Sequence, residues 1–299
     1  MTSAAVAVEE PRRRERLAVA AALVTVSLWA SAFVGIRSAG RDLSPGALTL
    51  GRILVAALAL GVLVAARREP WPVRRDLVPI AVYGVLWFGG YNLALNEAER
   101  RLDAGTAAML VNVGPLLIAV LAALVLREGF PRRVALGCGI AFGGAALIGY
   151  ATSENGFSAG WGALLCLAAA FLWASAVVIQ KPLLTRISAL QVTFLACCVG
   201  VLVTLPFAPT LVREAGDARS TALGWVVYLG IFPTAIGFVT WAYALARATA
   251  GRTGAMTYLV PPLAILFGWL LLGETPPWLA IPGGALCLTG VIVARRRPA

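Results

Sequence analysis

Trp29 and Trp173 are the first residues in this chain that could do chemistry. Each is the second residue of the same pentapeptide, Leu-Trp-Ala-Ser-Ala, at 28–32 and again at 172–176, an offset of 144 residues. Both lie deep inside long apolar runs, whereas tryptophans that anchor a protein in a bilayer sit near the ends of such runs. Trp87, Tyr91, Trp241 and Tyr258 lie at comparable depth in other apolar runs. Aromatic rings gathered from several helices can hold an apolar or cationic group by buried area and by cation–π attraction. Ser31, Asn92 and Asn112 add uncharged hydrogen-bonding groups, and Arg52 places a guanidinium inside the run LGRILVAAL. An arginine at that depth can meet a carboxylate on a bound molecule, snorkel to the interface or cap backbone carbonyls. The expected binding set is therefore Trp29, Ser31, Trp87, Tyr91, Asn92, Asn112, Trp173, Trp241 and Tyr258, with Arg52 as the partner for a carboxylate.

The same inventory excludes most covalent chemistry. The chain has no histidine, which removes histidine proton relays and histidine metal ligands. No HExxH motif, no nucleophile–base pair at depth and no acidic pair suited to general acid–base work is present. Glu97 and Glu128 fall at helix ends, which counts against exchange of a cation for a proton at a mid-membrane carboxylate. Cys138, Cys166, Cys197, Cys198 and Cys287 lie in apolar runs without metal-ligand spacing and read as small buried hydrophobes. The stretch GCGIAFGG at 137–144 imitates a dinucleotide fingerprint, but no strand precedes it. Gly139 and Gly143, four residues apart, instead suit close helix packing. No catalytic residue, metal or cofactor is expected.

Side chains of this kind need membrane-spanning helices to position them. Of 299 residues, 60% are hydrophobic and 13% charged, with a mean hydropathy of +0.85. A soluble domain carries about 25% charged residues, so this chain lacks the polar material to cover a water-facing surface. A span needs about 20 apolar residues. Ten such spans are legible, near 17–37, 46–66, 77–97, 104–126, 133–150, 159–180, 189–208, 222–246, 250–272 and 278–294. The net charge of +11 does not signal nucleic acid, because the arginines punctuate apolar runs instead of forming one basic face. The basic RRRER followed by a run containing Ala-Ser-Ala resembles a signal peptide, but that run is a full span and its pentapeptide recurs mid-chain. With the N-terminus placed in the cytoplasm, 18 Lys and Arg fall on the cytoplasmic side and 6 on the other, so both termini are expected inside.

Pro115 falls mid-span in the fourth run, and Pro261 and Pro262 in the ninth. A helix-interior proline frees the carbonyl four residues back, here Val111, Thr257 and Tyr258. These prolines are expected to act as hinges or cavity walls. They also belong to a longer correspondence. At an offset of 146, Ala104-Gly105 falls on Ala250-Gly251, Pro115 on Pro261, Glu128 on Glu274, Pro131 on Pro277, Gly137 on Gly283 and Gly144 on Gly290. Ala98 and Arg101 fall on Ala244 and Arg247. The chain therefore divides into an unstructured cytoplasmic tail at 1–16, a five-helix unit at 17–150, a connection at 151–158, a second unit at 159–294 and a tail at 295–299. Five crossings are odd, so the second unit enters the membrane upside down relative to the first. Inverted repeats of this kind underlie alternating access to one midplane site. The expected fold is an all-α membrane protein of ten spans in two inverted five-helix repeats.

The runs LWASAFVGIR, LGRILVAAL and AGTAAMLVNVGPLLIAVLAALVLRE, with the echo AGRTGAMTYLVPPLAILFGWLLLGE, resemble the EamA-type fold of the drug/metabolite transporter superfamily. The resemblance covers nearly the whole chain, and is greatest to the YddG-like amino-acid exporters. It implies a ten-helix exporter of small metabolites in a bacterial inner membrane. Neutral and aromatic amino acids are the first expected cargo, and lipophilic organic cations, as in multidrug or paraquat export, the alternative. The implied partners are a small-molecule substrate and the lipid bilayer, with no nucleic acid and with a monomer sufficing.

Overall fold

The computed structural model describes residues 3–99, 110–152, 161–272 and 278–295. These residues form ten helical spans and no strand. α1 is Ser3–Ala39 and α2 is Pro45–Arg67. α3 runs as Arg74–Gly84, then a π-helical segment Val85–Tyr91, then Asn92–Glu99. α4 is Gly114–Val125, entered through a turn at Asn112 and Val113, and α5 is Arg132–Thr152. α6 is Trp161–Leu183; α7 is Ala189–Thr204, prolonged through a 3-10 turn, Leu205–Phe207, into Ala208–Asp217. α8 repeats the pattern of α3 as Ser220–Leu229, a π-helical segment Gly230–Ile236 and Gly237–Arg247. α9 runs as Ala250–Met256, a 3-10 turn Thr257–Leu259 and Val260–Leu272, and α10 is Ala280–Arg295. Seven spans, α1–α3 and α6–α9, are long and apolar enough to cross a bilayer; the described parts of α4 and α10 are apolar and shorter.

One local expectation changes. The helix of α1 starts at Ser3, so residues 3–16 are helical instead of forming an unstructured tail, although the apolar span begins only at Glu15. That stretch is rich in Ala, Glu and Arg, which are strong helix formers. Of the repeat matches, Arg101, Ala104, Gly105, Glu274 and Pro277 lie outside the described residues.

The packing shows how the halves relate. α5 packs on α10, α4 on α9, α2 on α7, α1 on α8 and α3 on α6. Exchanging every helix for its equivalent five places along leaves that set unchanged, as a pseudo-two-fold between inverted repeats requires. The tightest approach joins α5 and α10. A Cβ on Gly290 would stand 2.4 Å from the Gly137 carbonyl oxygen, and one on Gly144 would stand 2.5 Å from that of Gly283. Gly139 and Gly143, the pair expected to pack, have no heavy atom within 4 Å of such a Cβ. The seam uses residues two full turns apart, which return to one face of the helix, while 139 and 143 are exposed and point aside.

Polar ties fasten the halves at both ends. At one face the Arg219 guanidinium grips Asp42 at 2.9 Å, and the Ser44 N–H donates to Glu214 at 2.7 Å. At the opposite face Arg186 meets Asp76 at 2.6 Å and the Ser188 hydroxyl donates to Glu69. There Glu128 also accepts the Ala250 N–H at 2.7 Å, capping α9, and the Lys181 ammonium caps the end of α8 at the Leu245 and Ala248 carbonyls.

The exposed Arg219 guanidinium holds the Asp42 carboxyl below the usual carboxylate range, chiefly by direct hydrogen bonding. A depressed folded value means that the tie contributes stability above the unfolded value and loses it as pH falls through the folded one. The melting temperature of Asp42→Asn should lie slightly below that of the parent at neutral pH. The gap should begin to narrow as pH falls below about 4 and close only below the lowered folded value, where the carboxyl is neutral in both states. Thermal unfolding across pH 3–7 in detergent checks it.

Candidate functional site

The π-helical segments position the aromatic rings. Each inserts an extra residue into its turn, a device often found at functional sites. They occupy equivalent places, since Val85–Tyr91 and Gly230–Ile236 are related by an offset of 145. In α3 the segment turns Trp87 and Phe88 into the protein, and the Asn92 amide caps it by donating to the Trp87 and Phe88 carbonyls at 2.9 and 3.2 Å. In α8 the Thr234 hydroxyl donates to the Leu229 carbonyl at 2.7 Å.

Between these segments lies one continuous aromatic cluster. Trp29 packs on Trp241 at 5.3 Å, on Phe238 at 5.4 Å and on Trp87 at 6.1 Å between ring centroids. Trp87 also meets Trp173 at 6.3 Å, and Trp173 meets Tyr91 at 6.3 Å. Trp29 and Trp173, the repeated pair, thus enter the same cluster from α1 and α6, while α3 and α8 supply the rest. α4 adds space instead of a ring: a Cβ on Gly114 would stand 2.5 Å from the Trp173 ring. Trp87 and Trp241 are almost fully buried, and Trp29 and Tyr91 partly so.

A buried amide holds together the edge of the cluster nearest Lys181. Gln180 donates to the Tyr83 hydroxyl at 3.0 Å and accepts from the Trp241 indole N–H at 3.2 Å. Sequence reasoning missed it because Gln180 falls where an apolar run ends, beside Lys181, and so reads as a solvated terminus. In the structure α6 continues to Leu183 and Gln180 has no exposed surface.

The remaining expected residues sit elsewhere. Arg52 is buried and its Nε donates to the Thr234 hydroxyl at 3.3 Å, so it faces the π-helical segment of α8. Ser31 turns the other way, bonding to the Tyr228 hydroxyl at 2.7 Å. Tyr258 is buried in a separate cluster with Met256, Cys138 and Cys287, against α5 and α10. Asn112 lies in the turn that breaks α4. Pro115 and Pro261 each sit at the start of the second helical segment of their span, just after a break, at equivalent places in the two halves. The freed Thr257 carbonyl does not line an open space, because the 3-10 turn lets it accept the Val260 N–H. Among the described residues no group of His, Cys, Asp and Glu could hold a metal.

Ten spans in inverted halves, closing on a buried aromatic site, define a multi-pass membrane transporter. The pattern of the EamA-like transporter family matches residues 16–150 and again 160–296, and the chain belongs to that family. It is 38% identical over 280 residues, 94% of each chain, to a probable terminal-alkyne amino-acid exporter of Streptantibioticus cattleyicolor. It is 32% identical to an uncharacterized transporter of Bacillus subtilis, over 89% of this chain and 87% of the relative. A probable amino-acid metabolite efflux pump of Salmonella typhimurium is 25% identical over 91% of this chain and 92% of its own. A solved crystal structure, 22% identical, shares the fold with a TM-score of 0.77 over 93% of this chain and 96% of that one.

Proposed function

We propose that this transporter exports neutral and aromatic amino acids, or close zwitterionic relatives, by alternating access at the aromatic cluster. The observation that carries the reading is the cluster itself: rings from α1, α3, α6 and α8 meet around the repeated pair Trp29 and Trp173, where inverted halves share one site. Arg52, buried beside α8, supplies the positive field for a carboxylate. Two of the relatives described above are named for amino-acid export, which supports the same cargo class. The excess of basic residues on one set of loops supports a cell-membrane protein with both termini cytoplasmic. Pro115, Pro261 and Pro262, placed at matching breaks in α4 and α9, are the hinges on which the site changes sides.

Counterflow into liposomes tests the reading. Preloaded vesicles should take up labelled phenylalanine and at least one other neutral amino acid, and should ignore a quaternary ammonium compound. The rate should change little when a pH step is imposed at clamped potential, because histidine is absent and Glu97 lies near the end of α3. Uptake of the cation alone, or a pH response abolished by Glu97→Gln, would overturn it.

A further inference from the structure

The repeated tryptophans occupy equivalent positions, yet their indole nitrogens have different fates. Trp29 Nε1 donates to the Pro233 carbonyl in the π-helical segment of α8 at 3.2 Å. In the π-helical segment of α3 the corresponding side chain is Asn92, which donates to the Trp87 and Phe88 carbonyls at 2.9 and 3.2 Å, and Trp173 makes no bond there. Trp173 is left 6% exposed with its Nε1 buried and without a hydrogen-bond partner, on the edge of the ring away from Gly114.

An indole N–H can only donate, and a buried donor without an acceptor costs free energy that the fold does not recover. The two halves thus differ, and Trp173 keeps a free donor within the aromatic cluster, its ring packed on Trp87 and Tyr91. We propose that the Trp173 indole N–H is the specificity contact for an anionic oxygen of the cargo, a carboxylate carried on a small molecule with an apolar or aromatic side chain. The proposal rests on the aromatic cluster being the transport site. It assigns Trp29 to holding the α1–α8 joint and Trp173 to reading the cargo, although the two look alike in sequence.

Two substitutions that remove the same atoms separate those roles. Trp29→Phe should lower the melting temperature of the empty protein by about 2–8 °C beyond Trp173→Phe, since only Trp29 loses a hydrogen bond and leaves an acceptor buried. Trp173→Phe should leave the melt within about 2 °C of the expectation for its lost packing, and should weaken phenylalanine binding about tenfold or more, as expected for a hydrogen bond to a charged acceptor. Phenethylamine, the same side chain without the carboxylate, should bind the parent weakly and be unaffected by Trp173→Phe. Ligand-induced thermal stabilisation of the purified full chain, with phenylalanine and phenethylamine as probes, reads all of this. Equal weakening of both probes, unchanged phenylalanine binding, or a destabilisation of the empty Trp173→Phe protein matching that of Trp29→Phe would overturn the assignment. Failure of the parent to respond to any amino acid would instead overturn the cargo class on which it rests, with the empty-protein melts still deciding the fate of the two nitrogens.

Discussion

Gly290→Ala should cost the protein its fold. The added Cβ would stand 2.4 Å from the Gly137 carbonyl oxygen and 2.5 Å from the Ala141 nitrogen, both backbone atoms of α5. No side-chain rotation can relieve such contacts, so the helices must separate along the whole seam, where Gly137, Gly144 and Gly283 meet backbone at similar distances. Overpacking of a tight core costs about 1–3 kcal/mol, and about 3 kcal/mol or more is expected where only backbone can yield. In a protein of marginal stability that is a large share of the whole. The expected result is a loss of monodisperse protein on detergent size exclusion and a collapse of the melting temperature. Gly139→Ala is the matched control, with the same change in the same helix and open space around the new methyl. It should be neutral or slightly stabilising, because alanine is the better helix former. Equal behaviour of the two variants would mean that α5 and α10 do not meet along this seam.

Gln180→Leu has the next largest expected effect. The leucine fits the volume but leaves the Tyr83 hydroxyl and the Trp241 indole N–H without the partners they now have at 3.0 and 3.2 Å. Both residues are completely buried, so water cannot substitute. An orphaned buried polar group costs about 1–3 kcal/mol, so about 2–5 kcal/mol is expected for the pair. Adding Tyr83→Phe to Gln180→Leu should recover part of the loss by removing one orphan, although Tyr83→Phe alone is destabilising. That reversal of sign is the test, read by thermal unfolding of the four proteins in a double-mutant cycle. Additive losses would show that the amide does not bridge the two rings.

The ten spans were legible because each is a long apolar run bounded by arginine, proline or glycine, and hydrophobic length is the physical requirement of a bilayer. The inverted repeat was legible for the same reason as the tryptophan pair, since identical residues recur at nearly constant offset. The π-helical segments were not. An extra residue in a helical turn leaves no periodic trace in a stretch that is apolar all round, and Pro233 has no proline partner at Phe88 to draw the eye. The α5–α10 seam was half legible. All four of its glycines stood out as repeat matches, but a four-residue spacing pointed to Gly139 and Gly143, and the crossing geometry favours a spacing of two turns. Tyr258 and Ser31 show the limit of depth as a criterion: both lie within spans, yet neither side chain points toward the tryptophans.

The contacts of that seam come in reversible pairs. Gly137 lies against Gly290, and Gly144 against Gly283; shifting each name by 146 turns one contact into the other. A surface with this property is complementary to itself, as in an isologous dimer. One five-helix unit, inserted in both orientations, could therefore pair with its own inverted copy and needs no second gene. While it did so, every substitution would strike both partners at once. Fusing two copies into one chain removes that constraint. Trp29 and Trp173 occupy matching positions in the two units, yet only the first has its indole N–H bonded. Joining the copies let a symmetric pair become two unequal halves, one able to specialise in holding the joint and the other in contacting what passes through it.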